Sequence, residues 1–126
     1  MIRRLLMIIA LALVATPSLS SDLANGDVLF CTSDFFYGAE GVEADAKRYK
    51  SQNLRVNISQ NLIKFGGSGY FKNTSMNVKK FKSWEVVAQD EYSTFVFGTI
   101  GSKISFYYAG ANPFGMAFMR GNCDKF

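Results

Sequence analysis

The sequence contains no histidine among its 126 residues. Because histidine is the commonest general base near neutral pH and a common metal ligand, its absence removes the usual catalytic and metal-binding arrangements. We therefore expect no metal, no cofactor and no enzymatic activity. The alternative is a hydrolase that works with a pair of carboxylates. Its candidate residues are Asp34, Glu85, Asp90, Glu91 and Asp124.

Long apolar runs are also missing, except at the amino terminus. Two arginines precede the apolar segment Leu5–Ala15, and Pro17 and small residues follow it up to Ser20. This order is typical of a secretory signal peptide, and the run is too short to span a hydrocarbon core of about 30 Å. We predict a signal peptide over residues 1–20, a single domain over residues 21–126, and a periplasmic or secreted location.

Cysteine is scarce, with only Cys31 and Cys123 in the chain. In an exported protein an even number of cysteines favours a disulfide, and the alternative is two buried thiols. A disulfide needs Cα atoms about 4.4–6.8 Å apart, so it would bring the first and last predicted strands together. A sheet that closes into a barrel makes these two strands neighbours.

Short segments with strand patterns recur along the chain. Leu54, Val56 and Ile58 alternate with polar residues, and 92–98 and 103–109 are rich in β-branched and aromatic residues. The spacing predicts an all-β fold, a small antiparallel up-and-down barrel of the lipocalin-like kind or a sandwich, with roughly seven or eight strands.

One segment has a helical pattern. In Ala39–Lys50 the acidic residues come first and the basic residues last, an order that suits the helix dipole. We therefore predict at most one short helix, beside a barrel that is closed by one disulfide.

The strongest predicted strands carry large aromatic side chains. In a barrel of this size such side chains either fill the interior or line a pocket for a small apolar ligand, and the sequence leaves both open. The residues concerned are Phe95, Phe97, Phe106 and Tyr108.

The glycine-rich stretch Phe65–Phe71 resembles a phosphate-binding loop in composition only. A phosphate loop needs a helix behind it, or a Lys-Ser/Thr ending, whereas Tyr70–Asn73 is strand-like. Glycine in a strand pattern marks a bend or a barrel corner. We predict a hairpin turn here, or a kink within one long strand.

Charge is sorted along the sequence. Residues 21–45 contain six acidic and no basic residues, and residues 46–84 contain nine basic and no acidic residues. Basic residues interleaved with aromatic ones can bind an anionic partner, such as an anionic glycan. The alternative is a solvated face with the tryptophan in the core, and we expect no nucleic acid as partner. The candidate contact residues are Lys79, Lys80, Lys82 and Trp84.

An early Phe30-Cys31 and a late Gly121-Asn122-Cys123 frame the domain. In these positions the chain resembles a loose group of small, uncharacterised, exported bacterial β-barrel proteins, and the resemblance implies a fold and a compartment but no activity. Ser68-Gly69 only partly matches the loop motifs of lysozyme inhibitors, and the Lys-Gly motif of that group is missing.

Three functions follow from these observations. The first is a non-enzymatic binding protein for a small apolar ligand or an anionic surface partner. The second is an inhibitor of an exported hydrolase such as a lysozyme or a protease, and the third is the carboxylate hydrolase.

Overall fold

The computed structural model describes residues 22–41 and 43–126, and in these ranges it contains nine β-strands and no helix. The predicted signal peptide, residues 1–20, lies outside them. The strands are β1 (Val28–Glu40), β2 (Lys47–Arg48), β3 (Asn53–Ile58), β4 (Leu62–Phe65), β5 (Ser75–Lys82), β6 (Glu85–Gln89), β7 (Ser93–Ile100), β8 (Lys103–Asn112) and β9 (Gly115–Lys125).

Eight of the nine strands form a closed antiparallel barrel, and this confirms the predicted all-β class. The strands follow one another from β3 to β9 in chain order, and β1 pairs with both β3 and β9. The short strand β2 is an addition that pairs with the distal half of β1. The register between β1 and β9 shifts at Asp34, between Ser33 and Phe35, so β1 carries an irregularity near its middle.

The predicted disulfide is confirmed, and it lies on the seam that closes the barrel. Cys31 of β1 and Cys123 of β9 are directly opposite each other in the antiparallel register, with their Cα atoms 4.0 Å apart. Both residues are buried. A buried disulfide of this kind indicates that the protein folds in a non-reducing compartment.

The predicted helix over Ala39–Lys50 is wrong. Strand β1 runs through the start of this segment, Gly41 adopts a left-handed φ of 97°, and the chain returns as β2. The Tyr49 N–H then donates to the Phe36 carbonyl oxygen at 2.8 Å, and the two rings pack with centroids 4.9 Å apart. A favourable charge order contributes about 0.3–1 kcal/mol to a helix, less than burying an aromatic ring contributes.

The interior is built from rows of side chains that face one another across neighbouring strands. One row joins Phe36, Met119, Tyr108 and Phe95 of β1, β9, β8 and β7. In the row below it, Phe106 of β8 faces Phe97 of β7, which in turn faces Val86 of β6. All of these side chains are buried, so the middle of the barrel is filled.

One end of the barrel is closed by the segment that precedes β1. Leu23 is 2% exposed, and its N–H donates to the Ser83 carbonyl oxygen in the β5–β6 turn at 2.7 Å. The Gly26 N–H donates to the Ile58 carbonyl oxygen at 2.8 Å and ties the same segment to β3. We call this the closed end, and the opposite end the open end.

Candidate functional site

A cavity of about 990 Å³ occupies the open end of the barrel, and we call it the cup. Its walls come from the far end of β1, the segment 49–52, the β6–β7 turn and the β8–β9 hairpin, together with one residue of the β4–β5 connection. Aromatic side chains dominate the lining. They are Phe36, Tyr49, Tyr70, Tyr92, Tyr108 and Phe114.

The cup exists because one inward-facing row consists only of small residues. Gly38 of β1 faces Ala117 of β9, which faces Gly110 of β8, which faces Ser93 of β7. This row lies directly above the row of large side chains that contains Tyr108. Because every second residue of a strand faces inward, the interior changes from filled to hollow over two residues along each strand. The aromatic interior is therefore filled through the middle and open at one end.

Two glycines in this row are required by the rings beside them. A Cβ on Gly38 would lie 2.7 Å from Cε2 of Tyr49, and a Cβ on Gly110 would lie 3.0 Å from Cζ of Tyr108. These distances are shorter than a van der Waals contact between carbon atoms, which is about 3.5–4.0 Å. Both glycines thus let an aromatic side chain approach the backbone closely and form part of the wall.

The floor of the cup is a connected aromatic cluster. The ring centroids of Phe71 and Tyr108 are 4.6 Å apart, those of Phe36 and Tyr70 are 5.0 Å apart, and those of Tyr70 and Phe71 are 4.9 Å apart. Phe95 continues the cluster into the filled interior, 5.5 Å from Phe71. Edge-to-face pairs of this kind fix ring positions as well as burying area, so the floor is preformed.

The glycine-rich stretch supplies part of this floor. Residues 66–74 connect β4 to β5, which confirms the predicted hairpin turn, whereas the strand expected over Tyr70–Asn73 is wrong. Gly69 and Asn73 have positive φ angles of 87° and 55°, and these allow the chain to fold back over the barrel. The Tyr70 N–H donates to Oε1 of Gln52 at 3.0 Å and fixes the backbone of this floor residue to segment 49–52.

The β6–β7 turn is held by one carboxylate. Oδ1 of Asp90 accepts hydrogen bonds from the Tyr92 N–H at 3.0 Å, the Ser93 N–H at 2.8 Å and the Ser93 hydroxyl at 2.7 Å. Desolvation opposes ionisation here, but these hydrogen bonds outweigh it together and lower the pKa of Asp90 below its usual value. Asp90 is therefore ionised at neutral pH and positions Tyr92 and Ser93 in the wall.

Tyr108 lies at the floor of the cup, and its pKa is shifted by its surroundings. Burial raises its pKa to about 12, and the nearby Tyr70 and Asp90 add to the shift. Its hydroxyl interacts with the side chains of Ser93 and Tyr70. A phenol that stays protonated at neutral pH is a hydrogen-bond donor and a poor base, so this arrangement suits binding better than proton abstraction.

The rim of the cup carries an excess of negative charge. Glu40, Asp90 and Glu91 line it, against one basic residue, Lys50. None of these carboxylates takes part in an ion pair found among the described residues. Of the five predicted candidates for carboxylate chemistry, the structure thus brings Asp90 and Glu91 to the cup. Two of the others, Asp34 and Glu85, form exposed ion pairs with Arg120 and Lys80.

The predicted anionic contact lies far from the cup. Lys82 ends β5 and Trp84 lies in the β5–β6 turn, which is at the closed end of the barrel. The alternative that placed Trp84 in the core is wrong, because the residue is 58% exposed. Lys80 pairs with Glu85 at 3.3 Å, and Lys79 and Lys82 are exposed. The contact with an anionic partner stays a prediction.

A second, smaller groove of about 480 Å³ lies on the outer face of the barrel. It runs over β7, β8, β9 and β1, where the exposed rings of Tyr107 and Phe118 flank Ala109. At one side the Arg120 guanidinium lies 5.1 Å from the centre of the Phe35 ring. The small residue Ala109 lies at the middle of this groove and faces outward, whereas its neighbour Gly110 on the same strand faces the cup.

The comparisons with known proteins give no match to a family model, to a curated protein or to a solved structure. Within residues 22–41 and 43–126, no three histidine, cysteine, aspartate or glutamate residues are grouped to hold a metal ion. No helix of the described part of the chain is long and apolar enough to cross a membrane.

The sequence did not identify the cup. The strand pattern marks Tyr108 as a large inward aromatic residue, but it does not indicate the small residues that hollow the open end. The available signal was the segment 108–111, "YAGA", in which a large inward residue is followed by a small one at the next inward position.

Proposed function

We propose that the mature chain is an exported, non-enzymatic binding protein that takes a small, largely apolar organic ligand into the cup. The observation that carries this proposal is the row Gly38–Ala117–Gly110–Ser93, which leaves a preformed hollow above an aromatic floor. A hollow of about 990 Å³ lies at the upper end of the range of about 300–1,000 Å³ that small-molecule sites occupy.

The construction of the barrel supports binding over chemistry. The floor is fixed by packed rings, the β6–β7 turn is fixed by Asp90, and Tyr70 is fixed by Gln52. Such a site needs little reorganisation when a ligand enters, and preorganisation is the property that favours affinity. The cup has no histidine or thiol to act as a nucleophile or base.

Two observations support the exported location. The residues before the described domain have the order of a signal peptide, and the barrel is closed by a buried disulfide. A periplasmic or secreted protein meets both conditions. The comparison of the intact mass with the sequence tests this directly, because export with cleavage after Ser20 gives a chain that begins at Ser21.

The binding proposal is tested by filling the cup with a larger side chain. Ala117→Phe places a ring at the centre of the small row, and Ala109→Phe places the same ring in the outer groove as a matched control. Each variant is titrated with the neutral apolar dye Nile red, and the protein isolated under native conditions is examined by native mass spectrometry. Circular dichroism verifies that both variants keep the β-fold.

We expect the unmodified protein and Ala109→Phe to bind the dye at the cup with similar affinity, and Ala117→Phe to lose this binding. We also expect a ligand adduct in the native mass spectrum of the unmodified protein. A bare mass together with dye binding that Ala117→Phe leaves unchanged would contradict the proposal.

A further inference from the structure

We propose that the ligand of the cup is an organic cation, an amine or quaternary ammonium compound whose charged group lies among the rim residues and whose hydrocarbon part contacts the floor. The inference rests on the proposed function, because it names the ligand class of that same site. It is carried by the juxtaposition of aromatic rings and unpaired carboxylates in one lining.

The rings provide the first part of the argument. Tyr70 stands edge-on to Phe36, with an interplanar angle of 79°, and edge-on to Phe71, with an angle of 86°. Rings set at right angles present both edges and faces to the space above them. A face of tyrosine or phenylalanine attracts a cation within about 6 Å of its centre, most strongly where water is excluded.

Charge provides the second part. The full chain has a formal net charge of +4, and residues 21–126, which lack Arg3 and Arg4, keep a net charge of +2, yet the cup lining contains three carboxylates and one lysine. The negative rim is therefore a local feature that runs against the overall charge. Glu40 reaches the cup from β1, and Asp90 and Glu91 reach it from the β6–β7 turn. A cation in the cup thus meets carboxylates from two separate parts of the barrel.

Asp90 shows that the negative charge is maintained inside the lining. Its Oδ1 atom accepts all three hydrogen bonds from Tyr92 and Ser93, and Oδ2 accepts none of them. The charge of Asp90 also acts on the Tyr108 hydroxyl at the floor. An anionic ligand in the cup would face the same charge and would be repelled.

The floor determines where the hydrocarbon part lies. Phe36 and Tyr108 line the cup and are buried, and both belong to the row of large side chains that fills the barrel below it. Neither side chain is charged at ordinary pH, so this part of the lining offers no site for a second ionic group. The lining therefore fits a monocation with one apolar end.

The test compares three probes of the same shape that differ in charge: choline, 3,3-dimethylbutan-1-ol and 3,3-dimethylbutanoate. Each is titrated into the oxidised mature protein at low ionic strength, where charge effects are least screened, with calorimetry or NMR shifts as readout. We expect choline to bind about tenfold or more tightly than the alcohol, and the carboxylate to bind most weakly.

Two variants locate the effect. Glu40→Gln with Glu91→Gln removes two rim charges and leaves the turn-forming Asp90 in place. Asp124→Asn removes one exposed charge from β9 outside the cup and is the control for the loss of a carboxylate elsewhere on the barrel. We expect the double variant to lose most of the preference for choline over the alcohol, and the control to retain it.

The outcomes separate the two proposals. Equal binding of choline and the alcohol, tightest binding of the carboxylate, or a preference that survives Glu40→Gln with Glu91→Gln would each overturn the cation inference. Absence of binding by all three probes would overturn it as well. In every one of these cases the Nile red titration and the native mass spectrum still decide whether the cup binds a ligand at all.

Discussion

Reduction of the Cys31–Cys123 disulfide is expected to lower the free energy of unfolding by about 4–5 kcal/mol. The two cysteines are 92 residues apart in the chain, so the bond restricts nearly the whole unfolded domain. In the chain-entropy model, the loss of loop entropy for such a separation corresponds to about 4.6 kcal/mol near room temperature. This is a large share of the total of about 5–15 kcal/mol that stabilises a typical domain.

The assay is equilibrium unfolding in urea, followed by circular dichroism, with and without a phosphine reductant. With a urea slope of about 1–3 kcal/mol per molar, the loss moves the midpoint down by about 2 M. Because both sulfur atoms are buried, the reduced sample is prepared by unfolding in reductant and refolding.

The variant Cys31→Ala with Cys123→Ala is the control, since reductant is expected to leave its midpoint unchanged. A shift below about 0.5 M between the oxidised and reduced protein would refute the reasoning. It would mean that the β1–β9 hydrogen bonds and packing hold the chain ends together without help from the disulfide.

Three further predictions concern the cup and the basic strand. Gly110→Ala should lower the free energy of unfolding by about 1–3 kcal/mol, because the added Cβ would press on Tyr108. Gly98→Ala is the control: its Cβ would meet no atom within 4 Å, so its urea midpoint should stay near that of the original protein. Because burial raises the pKa of Tyr108, its contribution to the free energy of unfolding should be complete below pH 10 and be lost as the pH rises to about 12, where only the unfolded phenol ionises. Urea unfolding at several pH values should show the free energy of unfolding falling over this range, and the fall should be smaller in Tyr108→Phe. Replacement of three strand lysines by glutamine should weaken salt-sensitive binding to an anionic polymer such as heparin, and unchanged binding would end that hypothesis. These lysines are Lys79, Lys80 and Lys82.

The strands were predictable because a sheet with one buried face imposes a period of two on its sequence. Leu54, Val56 and Ile58 alternate with polar residues, and all three are buried in β3. The disulfide was predictable for a related reason. Two cysteines at opposite ends of a string of hairpins can meet only if the first and last strands are neighbours.

The position of Trp84 was not predictable from alternation alone. It shares the phase of Val86 and Ala88, which are buried, but β6 begins only at Glu85. Trp84 therefore lies in the turn, where the alternation of a strand no longer decides which way a side chain faces. A separate irregularity lies within β5, whose register against β6 shifts between Val78 and Lys80, and periodicity does not reveal such a bulge either.

The cup was not predictable because it depends on which inward residues become neighbours. Gly38, Ser93, Gly110 and Ala117 are far apart or unremarkable in sequence, and only the register of four strands places them in one row. Hydrophobic patterning identifies the inward face, but the pairing of strands decides whether that face is filled or hollow.

The seam between β1 and β9 has a consequence for the order in which the protein is completed. β1 is the first strand of the domain to be synthesised, and β9, its partner along nearly its whole length, is the last. Until β9 arrives, both β1 and β8 present open strand edges, and the large aromatic side chains of the interior have no complete enclosure. A chain without β9 is therefore an unfinished sheet, and the barrel closes only when β9 pairs with both β1 and β8.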